Sequence, residues 1–287
     1  MRTFVSAVAV LIGLAMAAVA VPAMWVDRNI VQEEGFVALT APLGKDPVFQ
    51  KRLATAAVNG MSFGGQQLPD PVAAVVKPIL ADAAKSLVSM PGYSDAWAET
   101  LRRSHRLSFA DPRTLPPEVD GTTSLTLDVA PLVGLVVKRV SEASPVPLKA
   151  PEQVRINIGQ SDQRQLIERI SAYAPMGSAV AVGSAIAFIL AFVAARRKWT
   201  VLAGTGLGGL VLAGVWKFGS DTAGIMLQGA GTGNDVAEIF KREFVAAATA
   251  SFGQWITAAL LAGGVLLAAG IVLRVVRGRR PAPNVRP

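Results

Sequence analysis

The stretch APMGSAVAVGSAIAFILAFVAARRKWTVLAGTGLGGLVLAGVW, residues 174–216, decides the fold. It holds two apolar runs, Ala174 to Ala195 and Trp199 to Trp216, with Arg196, Arg197 and Lys198 between them. Each run is about as long as a helix needs to cross a hydrocarbon core of roughly 30 Å at 1.5 Å per residue. Three charged residues leave room only for a turn, so the runs read as an antiparallel hairpin whose basic tip stays in water.

Two further runs extend the pattern, Thr3 to Val26 and Phe244 to Leu273. The expected fold is a membrane protein with four transmembrane α-helices and one water-facing domain. None of the runs carries an ionisable side chain. Buried charges mark ion and proton pathways, so four spans without one argue against a transporter built from this chain alone.

Charge divides along the same lines. The chain carries 28 Lys or Arg against 20 Asp or Glu, a net +8, with a mean hydropathy of +0.44. Asp27 to Tyr173 is balanced, with as many acids as bases, and Lys217 to Glu243 is nearly so. The excess sits in Arg2, Arg196, Arg197, Lys198, Arg274, Arg277, Arg279, Arg280 and Arg286, all beside apolar runs. That is the pattern of basic residues retained in the cytoplasm. It places both ends and the hairpin tip inside and Asp27 to Tyr173 outside. A balanced domain offers no basic face to nucleic acid, so no nucleic-acid partner is expected. The chain has no cysteine, which removes disulfides and thiolate chemistry.

The organisation that follows is residues 1–26 as an N-terminal anchor and 27–173 as an extracytoplasmic domain. Residues 174–195, 199–216 and 251–273 are the later spans. Residues 217–250 are an outer loop with an amphipathic helix, and 274–287 a basic tail. Ala18-Val19-Ala20 in the first run also fits a signal-peptide cleavage site, but the run continues uncharged to Val26, which favours an uncleaved anchor.

Inside 27–173 the periodicity predicts an α+β domain with a small two- or three-stranded sheet. Gly35 to Thr40 alternates like a short strand. Asp46-Pro47 and Asp70-Pro71 are helix starts, with Pro78 a break in the second. Ser94 to Ser108 reads as a helix with Trp97, Leu101, His105 and Ser108 along one side. Thr123 to Val129 alternates as a strand, Pro131 opens a helix to about Glu142, and Val154, Ile156 and Ile158 mark a second strand. Strand, helix, strand suggests a parallel pair with a right-handed crossover. A last helix from Ser161 and Asp162 leads into the second span. Asp235 to Phe244 reads as an amphipathic helix lying at the outer interface of the bilayer.

Three segments carry a family resemblance. Trp97-Ala98-Glu99-Thr100-Leu101-Arg102-Arg103-Ser104-His105 resembles a W-x5-R-x-H helix, Thr123 to Val140 a strand followed by a Pro-initiated helix, and Val154 to Tyr173 a strand with a pre-membrane helix. Together they are similar to a family of uncharacterised actinobacterial integral membrane proteins. The resemblance implies one N-terminal span, an exported α/β domain and three C-terminal spans. It implies no activity.

Few residues point to chemistry. Gly204-Thr205-Gly206-Leu207-Gly208-Gly209 contains G-x-G-x-x-G, but it lies inside an apolar run with no strand before it, which favours helix packing over dinucleotide binding. Gly204 and Gly208 read instead as a helix-packing face, matched by Gly264 and Ala268 in the fourth span. His105 is the one histidine. It reads as a partly buried packing residue or, more sharply, as part of an anion pocket rimmed by Trp97, Arg102, Arg103 and His105. Asp128 reads as a helix cap. No catalytic set, metal site or cofactor is expected. The expected partners are the lipid bilayer and an envelope protein or a cell-wall or lipid ligand. The alternatives are a membrane-bound enzyme or enzyme accessory acting on such material, and a subunit of a transport complex.

Overall fold

Helix dominates the computed structural model, which describes residues 2–52, 87–109, 126–143, 150–157, 164–229 and 235–278. Its helices are α1 (Arg2–Val26), α2 (Glu33–Thr40), α3 (Tyr93–Phe109), α4 (Ala130–Ala143), α5 (Arg164–Tyr173), α6 (Met176–Ala194), α7 (Lys198–Gly229) and α8 (Asp235–Gly278). Two three-residue strands accompany them, β1 (Thr126–Asp128) and β2 (Arg155–Asn157). The helix expected from Asp70 with its break at Pro78, the strand residues 123–125 and the helix start at Ser161 lie outside the described residues.

Four helical stretches are long and apolar enough to cross a membrane: Thr3–Val31, Met176–Ala194, Lys198–Gly229 and Ala237–Val276. The chain is thus a helical membrane-type protein. Contacts divide it into two units. The first comprises Met1–Asp27, Tyr173–Gly224 and Thr249–Pro287; the second comprises Arg28–Ala172 and Ile225–Ala248.

In the first unit large apolar side chains face outward, among them Phe4, Ile189, Leu190, Val211 and Leu261. Such a surface is stable only where its surroundings are apolar too. The interior is built from small residues. α1 and α6 pack antiparallel: Ser6 Oγ donates to the Ala191 carbonyl at 2.8 Å, and Ser184 Oγ donates to the Gly13 carbonyl at 2.8 Å. A methyl group on Gly177 would stand 2.8 Å from the Ala23 side chain, and one on Gly13 2.8 Å from Phe188. Interhelical bonds from serine and close backbone approach at glycine are how helices associate without a hydrophobic driving force.

α7 and α8 pack through Gly206, Gly263 and Gly270. A methyl group on Gly206 would meet Leu267 and the Gly263 carbonyl, and one on Gly270 would lie 2.7 Å from the Ala203 amide. The expected packing at Gly204 and Gly264 is therefore corrected, while Gly208 does pack closely, against α1 rather than the fourth span. Gly204 and Gly264 have open space where a side chain would stand, and Gly208 abuts Leu14 of α1. The true register, Trp199, Ala203, Gly206 and Leu210 against Gly263, Leu267 and Gly270, steps by three and four residues and follows one helix face.

Two boundaries also move. α7 does not stop at Trp216; it runs through Lys217, whose Nζ bonds Asp221 Oδ1 at 2.6 Å one turn on, to Gly229. Nothing in that stretch breaks a helix, and the i,i+4 ion pair supports it. α8 joins the amphipathic segment to the fourth span as one helix of 44 residues. Its Ala237, Ile239 and Phe240 are buried in the second unit's core, so the apolar face is used inside the protein rather than on a bilayer interface.

That core gathers Phe36, Leu43, Phe49, Trp97, Leu101, Leu127, Leu132 and Val136 around the α8 residues. Gly35 to Thr40 is helix rather than strand. Glu33 and Glu34 fall in the first turn, where acids suit the helix dipole, and Phe36 and Thr40, one turn apart, both turn inward. Six alternating residues do not distinguish the two forms. Asp46 does cap a helical start as expected: its Oδ1 accepts from Val48 N at 2.7 Å and Phe49 N at 3.1 Å.

The strands pair antiparallel, Leu127 opposite Ile156, which corrects the expected parallel crossover. One carboxylate explains the hand. Asp128 Oδ1 accepts from Ala130 N at 3.0 Å and Val154 N at 3.2 Å, so the start of α4 and the start of β2 are pinned at the same end of β1. Beyond β1 no third strand joins among the described residues. Serines of α3 occupy that edge: Asp128 N donates to Ser104 Oγ at 2.9 Å and Thr126 N to Ser108 Oγ at 3.5 Å.

Candidate functional site

α3 carries the residues with the most chemistry, and helical spacing sorts them onto two faces. Trp97, Leu101, Ser104, His105 and Ser108 are buried; Glu99, Arg102, Arg103 and Arg106 are half-buried or exposed.

On the buried face Trp97 is 2% exposed. Its indole stands edge-on to Phe49 at 5.7 Å and lies so close to Gly44 that a methyl group there would collide with the ring. Gly44 is further fixed by Tyr93, whose hydroxyl donates to its carbonyl at 2.7 Å. Burial raises the Tyr93 hydroxyl far above its ordinary range, so it stays a neutral donor.

His105 is 6% exposed. Its Nε2 donates to the Ile30 carbonyl at 3.0 Å; since a carbonyl only accepts, that nitrogen holds the proton. The ring stacks on Phe109 at 4.4 Å and tilts against Phe36 at 5.1 Å. Burial lowers its pKa, against weaker opposite effects from the Ile30 bond and the charge of Glu33. A neutral imidazole held between two phenyl rings is a packing residue with one polar anchor. Its anchor, Ile30, belongs to the π-helical turn Asp27–Val31, and Gly35 lets α2 press against the Arg28 carbonyl of that same turn.

On the other face Glu99 sits among three guanidiniums: Arg103 Nε at 3.0 Å, Arg102 at 3.6 Å and Arg106 at 3.6 Å. The hydrogen bond from Arg103, aided by the charges of all three, lowers the Glu99 pKa despite partial burial. Arg106 also reaches Glu33 at 3.4 Å, tying α3 to the first turn of α2. These exposed pairs contribute little to stability. They leave a charged strip with more arginine than carboxylate.

The four residues expected to rim one pocket are thus not brought together. Trp97 and His105 point into the core while Arg102 and Arg103 point to solvent, because positions 97, 101 and 105 are one turn apart and 102 and 103 lie on the far side of the helix. Asp128 is 4% exposed and its carboxylate bonds backbone amides at the start of α4, a capping role. Among the described residues no group of three His, Cys, Asp or Glu stands where a metal would be held.

Sequence reasoning missed the α1–α6 contact at Gly13, Gly177 and Ser184. The signal was present: Gly177, Ser184, Ala187 and Ala191, all small and all buried, recur in steps of seven, three and four. It missed the arginine strip as a unit because Glu99–Arg103 reads as one surface pair until Arg102, Arg106 and Glu33 are seen around it. Compared with protein-family models, curated proteins and solved structures, the chain matches none.

Proposed function

We propose that the chain is a multi-pass protein of the cell envelope whose second unit, an α+β domain, lies outside the membrane and binds a protein or an envelope component. Its carrying observation is the division of α3: the aromatic and histidine face is consumed by the core, and the face left to solvent is a strip of three arginines around Glu99. A polar, cationic strip on a rigid helix suits docking of an anionic group. The burial of Trp97 and His105 speaks against the rival reading, an enzyme with a cleft between them.

The orientation follows from the charges. Arg274 stacks over Trp199 at 5.1 Å, which gathers it with Arg196, Arg197 and Lys198 at one end of the apolar helices. A single cationic end favours that end as cytoplasmic. The bonds from Ser184 and Trp216 to α1 support its retention as an anchor. The resemblance to actinobacterial integral membrane proteins agrees with this arrangement.

The test is affinity purification of the full chain from mild detergent, beside Arg102→Glu/Arg103→Glu. A partner that co-purifies with the parent and is lost from a variant of unchanged melting temperature supports the reading. Equal recovery with both refutes the strip as the docking face. Co-purification of a transport complex would reassign the chain as its subunit.

A further inference from the structure

The first unit contains a cavity of about 970 Å³ between α1 and α7. Its walls are apolar: Val10, Leu11 and Leu14 from α1, Leu207, Val211 and Leu212 from α7. Its floor is glycine, Gly204 and Gly208. One end is polar, lined by Thr3, Ser6, Arg196, Arg197 and Thr200, and no carboxylate lines any part of it. The ends are distinct because α1 and α7 run parallel here: Val10 packs with Val201, and Leu14 covers Gly208.

Size and polarity narrow the occupant. The volume is near the top of the roughly 300–1,000 Å³ range of small-molecule sites. From Thr3 to Leu14 the groove extends about 16 Å at 1.5 Å rise per residue. That is close to half of a hydrocarbon core of roughly 30 Å, the depth of one leaflet. The guanidiniums of Arg196 and Arg197 stand where the headgroup of a lipid in that leaflet would be, and arginine binds phosphate in bidentate fashion. An ordinary apolar seam between helices is filled by side chains. This one is left open at Gly204, where nothing stands within 4 Å of where a side chain would begin, while Leu14 covers Gly208 further along.

We infer that this groove is a binding site for one anionic glycerophospholipid, its acyl chain passing Gly204 and its phosphate on Arg196 and Arg197. A zwitterionic lipid presents the same phosphate, but its ammonium group opposes the attraction to the two arginines, so the site selects by net headgroup charge. The inference stands apart from the docking role of the second unit and needs only that the apolar helices lie in a bilayer.

Native mass spectrometry of the full chain tests it, after delipidation and incubation with equal amounts of phosphatidylglycerol and phosphatidylcholine. One phosphatidylglycerol should be retained over phosphatidylcholine by roughly tenfold or more, the preference expected from two basic side chains at a membrane surface. Arg196→Gln/Arg197→Gln should erase the preference while leaving some retention of either lipid. Gly204→Leu, which fills the groove from its open side, should abolish retention of both. If Gly204→Leu does not fold, Val211→Trp, two turns further along α7 and also lining the groove, serves in its place. Equal retention of the two lipids by the parent chain overturns the inference. So does retention that survives filling of the groove, because it would place the lipid on the cationic end alone.

Discussion

Pro22 has no amide hydrogen, so the carbonyl of Ala18, four residues earlier in α1, loses its helical partner. The indole of Trp216 takes its place, with Nε1 donating to Ala18 O at 3.0 Å. In an apolar surrounding an unpaired carbonyl is costly, so the tryptophan repairs a defect that the proline creates. Trp216→Phe should destabilise the apolar helices by about 1–3 kcal/mol, the cost of a buried polar group left without a partner. Pro22→Ala should restore most of that loss, because α1 then closes the bond itself; a double-mutant cycle in detergent measures the coupling. His105 allows a second prediction. Its folded pKa lies below the ordinary histidine value, so the folded state prefers the neutral ring. The corresponding stability is complete above the unfolded value of about 6.5 and is lost as pH falls from there towards the lower folded value. Thermal unfolding should therefore show a drop in midpoint between about pH 7.5 and about pH 5.5 that is smaller in His105→Phe, which has nothing to protonate.

At the scale of elements, glycine register decides which helices touch. Gly206→Ile should destabilise the α7–α8 pair by roughly 1–3 kcal/mol or more, since the new side chain meets the backbone at Leu267 and Gly263. Gly264→Ile should change little, since space there is open. Comparing the two melting temperatures tests the corrected seam against the one read from G-x-x-x-G. The seam was hard to read because four glycines crowd the six residues 204–209 of α7, and spacing alone does not say which face meets a neighbour. The apolar runs were legible because a stretch of some twenty uncharged residues has few alternatives. α3 was legible to within a residue at each end, and its buried stripe was read correctly at Trp97, Leu101, His105 and Ser108. The candidate pocket was not, because it mixed residues from both faces of that helix. Short strands fared worst. Gly35 to Thr40 proved helical, and the direction of β2 depends on Asp128 bonding two amides that are 24 residues apart in the chain.

Over the whole sequence, the surplus of basic residues sits outside the apolar runs, and the proposed orientation rests on that separation. The absence of cysteine makes it open to direct measurement. With the cationic end in the cytoplasm, Glu34→Cys should react with an impermeant maleimide on intact cells, and Asn284→Cys only after permeabilisation. The reverse pattern would invert the topology. Within the second unit the β1 edge of the sheet carries no further strand among the described residues, and hydroxyl groups of Ser104 and Ser108 take up the outward amides of β1. An open ribbon margin is the usual template on which neighbouring molecules stack into fibrils. Here a helix has sealed that margin with two small side chains, so β1 offers a passing strand no free amides on that side.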